Sequence, residues 1–245
     1  MSTYNQYFIK MQDGTIKQIN PFTGTEVWTV PGRASKPITN AVPENAKKLE
    51  KSGKKEDYCN FCEAKYLNTP PEKERLVKIG KKYLPIANVK QMMLDATKPV
   101  FRRIPNLFEI VTMEYWKKNF DFKISEENIK AKEDYLSDKR GYEHVINVVN
   151  MKLKLLGQDP SKVDESRKIE YADAFFAGGH ELIVANRHFI KNAEYDTQLF
   201  SSGEMTPEEH SEYIKFTIRG MMNIYKNNKY VRYVSIFQNW LKPAG

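Results

Sequence analysis

The stretch "GGHELIVANRH", Gly178 to His188, decides how the chain is read. Its two glycines end the helix that precedes them. The run Leu182-Ile183-Val184-Ala185 has the length and composition of a strand. A histidine stands at each end of that strand. Eight residues of extended chain from His180 to His188 span about 26 Å at ~3.3 Å per residue, so at most one of the two reaches any shared ion.

Towards the C-terminus, "MTPEEHSEYIKFTIRGMMNIYKNN" predicts a helix over 206–226. Thr206 is its N-cap, Pro207 its first helical residue, and Glu209 completes a Thr-x-x-Glu capping box. Ile214, Thr217, Met221 and Tyr225 recur on one face, which reads as core. "YVRYVSIF", residues 230–237, then predicts a closing strand beside "ELIVAN", feeding a polar Gln238-Asn239 pair and a loop that reaches Gly245.

Towards the N-terminus, residues 114–176 carry a helical pattern. Val145, Val149, Leu153 and Leu156 recur at helical spacing before a stop at Gly157, and "DPSKVDESRKIEYADAFFAGG" predicts a further helix. "RIPNLFEIVTM" reads as a loop entering a buried strand, Leu107 to Met113. "TPPEKERL" predicts a short helix from about Glu72. Residues 44–57 read as an exposed charged loop, and residues 1–40 as short extended segments with a hairpin at the Asp13-Gly14 pair. The fold class is therefore α+β: an antiparallel sheet with packed helices and a helical insert at about 114–176.

With 245 residues the chain can bury a large core. No apolar run approaches the ~18–20 residues of a membrane span. The opening "MSTYNQYFIKMQDGTIK" lacks a basic segment followed by an apolar one, so a cytoplasmic location is expected. Thirty-nine basic against 31 acidic residues give a net charge of +8, which favours anionic partners. The lysines are dispersed among acids, with no RNA-recognition signature and no long basic helix. A small phosphorylated ligand fits this balance as well as a polynucleotide does.

Both cysteines lie in "YCNFCEAK", as Cys59-x-x-Cys62. That spacing can face two thiolates towards one metal, form a redox pair, or arise by chance. A redox pair usually opens a helix after a strand, whereas here a charged loop precedes it. Of the four histidines, His144 and His210 fall in helical patterns and read as surface or capping residues. One of His180 and His188 is a candidate third ligand, and a fourth is not evident.

Several segments, in order, resemble the galactose-1-phosphate uridylyltransferase family of the histidine-triad superfamily, in an uncharacterised bacterial branch. "INPFTGTEVWTVPGRASKP" is similar to that family's opening NPxTGxWxxxxxxRxxRP, and "YCNFC" stands where it has a CxxC zinc knuckle. "RRIPNLFEIV" resembles its NxFPAL loop and strand. "GGHELIVANRH" resembles GxHEVIVxxPxH, whose last histidine binds zinc. "MTPEEHSEYIKF" through "QNWLKPAG" resembles the helix, strand and FxNxGxxxG loop that precede a His-x-His pair. Each motif is weak alone; their order carries the resemblance, which spans most of the chain outside the insert.

The resemblance implies a histidine-triad-like fold and covalent nucleotidyl transfer, in which a histidine attacks the α-phosphorus of a nucleotide and a second phosphate captures the product. It implies Cys59, Cys62 and His188 as zinc ligands. It places Arg33, Lys36, Asn106, Asn239 and Gly245 near the nucleotide or its phosphates. Lys36 stands where the family often has arginine and Gln238 where it often has glutamate. The nucleophilic His-x-His pair would lie just beyond Gly245, so the chain alone is expected to lack covalent catalysis. Partners implied are a nucleotide or nucleotide-sugar, with a C-terminal half or a second copy of the chain completing the site. Without the resemblance, Arg33 is an ordinary surface residue, and Asn106 and Asn239 ordinary turn residues. Two other classes remain open: a non-catalytic nucleotide- or protein-binding module of the same fold, and, ranked lowest, a basic nucleic-acid-binding domain.

Overall fold

The structure is a computed structural model that describes residues 6–29, 44–49 and 59–238. The chain forms two compact units, residues 1–44 and 45–245. In the first, β1 (Phe8–Lys10), β2 (Ile16–Ile19) and β3 (Glu26–Thr29) make a three-stranded antiparallel sheet in sequence order. The expected hairpin turns at Gly14, whose φ of 84° only glycine adopts readily. Beside it the Asp13 carboxylate accepts hydrogen bonds from the Thr15 backbone and hydroxyl, both at 2.9 Å. Asn20 caps the next turn, its Oδ1 accepting from the Phe22 and Thr23 amides.

The second unit is built on a four-stranded antiparallel sheet in the order β5-β4-β6-β7, from β4 (Glu74–Ile79), β5 (Lys82–Ala87), β6 (Pro99–Pro105) and β7 (Glu181–Ala185). Helix α1 (Gln91–Ala96) lies between β5 and β6 in sequence. Helices α2 (Met113–Phe120), α3 (Glu126–Leu136), α4 (Lys139–Leu155), α5 (Glu165–Tyr171) and α6 (Asp173–Ala177) separate β6 from β7, and α7 (Pro207–Asn227) follows β7. The α+β class and the helical insert are as the periodicity predicts. Gly157 ends α4 at φ 72°, and Thr206 and Glu209 form the capping box of α7.

The insert has its own core, in which Val145, Val148, Val149 and Leu153 of α4 pack with Tyr135, Ala172 and Phe175. Leu156 is half exposed, one step past the end of α4. A second core joins α7 to the sheet through Tyr213, Phe216, Leu76 and Phe101. The buried stripe of α7 is Tyr213, Phe216, Thr217 and Gly220, so of the four residues expected on the core face only Thr217 is buried. Gly220 allows the close approach: a Cβ there would sit 2.9 Å from Cδ of Arg103.

Four expectations are corrected. Residues from Glu72 form no helix; Glu74–Ile79 is the central strand β4, with Glu74, Arg75, Leu76 and Val77 all buried. Pairing with strands on both sides overrides the helical propensity of Glu and Arg. The hairpin to β5 turns on Gly80-Lys81 with Gly80 at φ 60°, and that two-residue glycine signal stands plainly in "KIGKKY". The strand expected at Leu107–Met113 is instead β6, eight residues earlier, where Arg102 and Arg103 disguise a largely buried segment. Residues 106–112 form a turn in which Asn106 Oδ1 accepts from the Phe108 amide and Ile110 is 86% exposed.

Finally, "YVRYVSIF" is not a strand beside β7. A strand exists only by pairing, and residues 231–238 stand across a cavity from β7, with Tyr233 and Phe237 exposed. Residues 44–49 are also more than an exposed loop, since Leu49 is buried with Phe189 and Ala193 and Lys48 bridges Tyr195. Residues 50–57 lie outside the described residues. Among the described residues no helix is long and apolar enough to cross a membrane.

Candidate metal centre and adjoining cavity

The Cys-Asn-Phe-Cys segment folds as a tight turn closed by Cys62 N donating to Cys59 O at 3.0 Å. The Cys59 amide donates towards Cys62 Sγ at 3.4 Å. His188 arrives from the other direction, three residues past the end of β7, with its backbone oxygen held by the Phe200 amide at 2.9 Å. The sheet thus brings together two segments about 126 residues apart in sequence.

The two sulfurs are 3.7 Å apart, and His188 Nδ1 lies 3.4 Å from Cys59 Sγ and 3.3 Å from Cys62 Sγ. A disulfide would hold the sulfurs at about 2.05 Å, so no disulfide joins them. Tetrahedral bonds of about 2.3 Å to sulfur and 2.0 Å to nitrogen require edges of about 3.8 Å between sulfurs and about 3.5 Å from sulfur to nitrogen. The observed triangle fits an ion to within a few tenths of an ångström, and these three residues can hold a metal. Burial pushes the His188 pKa down, which keeps the imidazole neutral and able to donate its lone pair.

The three residues form part of the wall of a cavity of about 1090 Å³ that runs along β7. Ile183 and Ala185 of β7, Met221 and Ile224 of α7, and Val234 and Ile236 line its apolar part. Its charged floor is the Arg103–Glu181 pair at 2.7 Å, with Lys73 on the other Glu181 oxygen, also at 2.7 Å. Burial pushes the Glu181 carboxyl up, but Lys73 and Arg103 outweigh it and hold the group below the usual carboxylate range. Tyr213 also borders the cavity, and burial raises its pKa.

Of the residues the sequence singles out, Cys59, Cys62 and His188 come together. His180 stays apart from them; its backbone oxygen accepts from the Asn106 amide at 2.8 Å, and its Nε2 lies 3.3 Å from Asn106 Nδ2. His180 lines the cavity, whereas Asn106 is engaged by His180 and the Phe108 amide. Arg33, Lys36, Asn239 and Gly245 lie outside the described residues. His210 sits in the first turn of α7, with Nε2 3.5 Å from Gln238 Nε2.

His144 is a correction: it is buried, not a surface or capping residue. Its Nε2–H donates to Thr69 O at 2.7 Å, which leaves Nδ1 to accept from the Tyr135 hydroxyl at 2.7 Å, with Gln91 Nε2 at 2.8 Å. The buried charges on both faces of β4 and β6 were also missed. The signal was an adjacent arginine pair inside the short run "VFRRIP", which places one guanidinium on each face of a strand.

Comparison with curated proteins and with solved structures found no match. Residues 11–245 match the model of a domain of unknown function, DUF4921, and the chain belongs to that family.

Proposed function

We propose that this protein is a zinc-binding, nucleotide-binding protein of the nucleotidyltransferase type. Cys59, Cys62 and His188 hold the ion, and the cavity beside them takes a nucleotide or nucleotide-sugar. The observation that carries this reading is a tetrahedrally spaced sulfur–sulfur–nitrogen triangle in the wall of a large cavity. Two thiolates and an imidazole are soft and borderline donors that select zinc over magnesium or calcium. Three protein donors leave one tetrahedral position for a further ligand, so the ion either stiffens the cavity wall or acts as a Lewis acid at it. The ordered motifs supply the reaction class, and the net charge of +8 suits a phosphorylated ligand.

In that class a histidine nitrogen bonds to the α-phosphorus as the bond to the leaving phosphate oxygen breaks, and a phosphate oxygen of the acceptor then reverses the step. None of the four histidines occupies the nucleophile's place in the motif order. The chain is therefore expected to bind its nucleotide without becoming labelled. Protein purified without chelator should contain one zinc per chain, lost in Cys59→Ser. Titration with UDP-glucose, UMP and ATP should change tryptophan emission, since Trp116 borders the cavity. Absence of zinc in the parent chain, or no response to any nucleotide, would overturn the reading. An acid-labile, base-stable label after incubation with radiolabelled nucleotide would show catalysis by a histidine of this chain.

A further inference from the structure

We propose that Arg102 is a positioning residue of the metal centre, a buried guanidinium whose task is to hold the cysteine turn in its ligand-ready shape. The inference rests on the metal reading above and deepens it.

Arg102 is fully buried, and its shortest hydrogen bond runs from Nη2 to the backbone oxygen of Phe61, between the two cysteines, at 2.7 Å. Its other polar contacts are long: 3.4 Å to Glu72 Oε1 and 3.5 Å to Thr69 Oγ1. Its Nε has no partner. Glu72 is already taken by Arg75, which binds both of its oxygens, at 2.8 and 2.9 Å. Arg75 is well satisfied in addition by Met93 O and Thr97 O. An ion pair with Glu72 therefore does not account for a second arginine at this depth, where an under-paired charge is costly. The cysteine-turn carbonyl does.

The same guanidinium stacks on the Tyr66 ring, 4.3 Å from its centroid. The Tyr66 hydroxyl donates to Asn186 Oδ1 at 2.7 Å, two residues before His188. One stacked pair thus touches both segments that supply ligands: Arg102 the cysteine turn, Tyr66 the approach to the histidine. Each acts on the segment that carries the ligands, Arg102 through the Phe61 backbone oxygen and Tyr66 through the Asn186 side chain. Outer partners of this kind typically change metal affinity by about 10- to 100-fold.

The experiment measures zinc affinity of the full chain by competition with a chromophoric chelator, together with the absorption spectrum of the cobalt-loaded protein. Arg102→Met is expected to weaken zinc binding about 10- to 100-fold and to shift the thiolate-to-cobalt bands. Arg102→Lys should recover part of the affinity, and Tyr66→Phe, which keeps the ring, should weaken it in the same direction. Phe216→Leu, buried on the α7 face, lowers stability without reaching the cysteine turn and should leave affinity unchanged. Parent-like affinity in Arg102→Lys and Arg102→Met overturns the proposal. So does an equal loss in Phe216→Leu, which would mark a general loosening. If Arg102→Met does not fold, Arg102→Lys and Tyr66→Phe decide on the same criterion. A parent chain that binds no zinc sinks the metal reading itself, which is a separate result.

Discussion

Arg102 and Arg103 are neighbours in sequence and opposites in environment. Strand geometry sends successive side chains to opposite faces. Arg102 goes to the cysteine turn and Arg103 to Glu74 and Glu181 under α7. His144 shows a comparable effect of depth. Burial pushes its pKa down, against the Thr69 carbonyl and the Glu72 charge, so the folded state keeps it neutral below the unfolded value of about 6.5. The unfolded chain then binds the proton that the folded chain refuses, and stability falls as pH drops from about 6.5 towards the folded value. Urea midpoints of metal-stripped protein should decline between pH 7.5 and 5.5. His144→Gln should be less stable throughout yet decline less steeply, and an identical slope would contradict the assignment.

At the scale of elements, α7 forms one wall of the cavity. Its start is set locally by the Thr206–Glu209 capping box, and Thr206→Ala should cost about 1 kcal/mol in thermal or chemical unfolding. Its seat on the sheet depends on Gly220, beneath which Arg103 runs between its two carboxylates. Gly220→Val should lower stability by about 1–3 kcal/mol, because Arg103 is pinned at both ends and cannot yield. The same measurements check both variants. Elements whose signals are local were readable from sequence: the β1–β2 hairpin, the helices of 114–176, β7 and α7. Elements defined by partners were not. β4 carries helix-forming residues in a central strand, β6 carries two arginines in its most buried stretch, and 230–237 has the residues of a strand but no paired edge.

For the whole second unit, the sheet gathers a turn near residue 60 and a loop near residue 188 into one triangle that could hold a metal. The insert supports this from outside, since His144 of α4 holds Thr69 O, and the Thr69 hydroxyl donates to Tyr66 O beneath Arg102. Metal removal should therefore act beyond the ligands. Chelation is expected to lower the thermal midpoint by an amount that grows with zinc concentration over its dissociation constant. Faster amide exchange should appear at 59–69 and 186–190 before the core of α4 responds. Equal exchange with and without zinc in those segments would contradict the coupling. The dispersed charge of the chain also predicts weak binding of generic RNA that vanishes near physiological salt, in contrast to nucleotide binding.

What the sequence by itself determined is the set of parts: an α+β chain, a capped helix after a strand, a CxxC turn and a histidine at a strand end. Such features follow from backbone preference and short-range periodicity, which act over a few residues. The motif order already pointed to His188, but the tertiary structure alone decided with what spacing it meets the cysteines and beside which cavity. It also decided that six charged residues, Glu72, Glu74, Arg75, Arg102, Arg103 and Glu181, belong inside. Burial of a charge depends on a partner brought from far along the chain, and no local pattern records that partner.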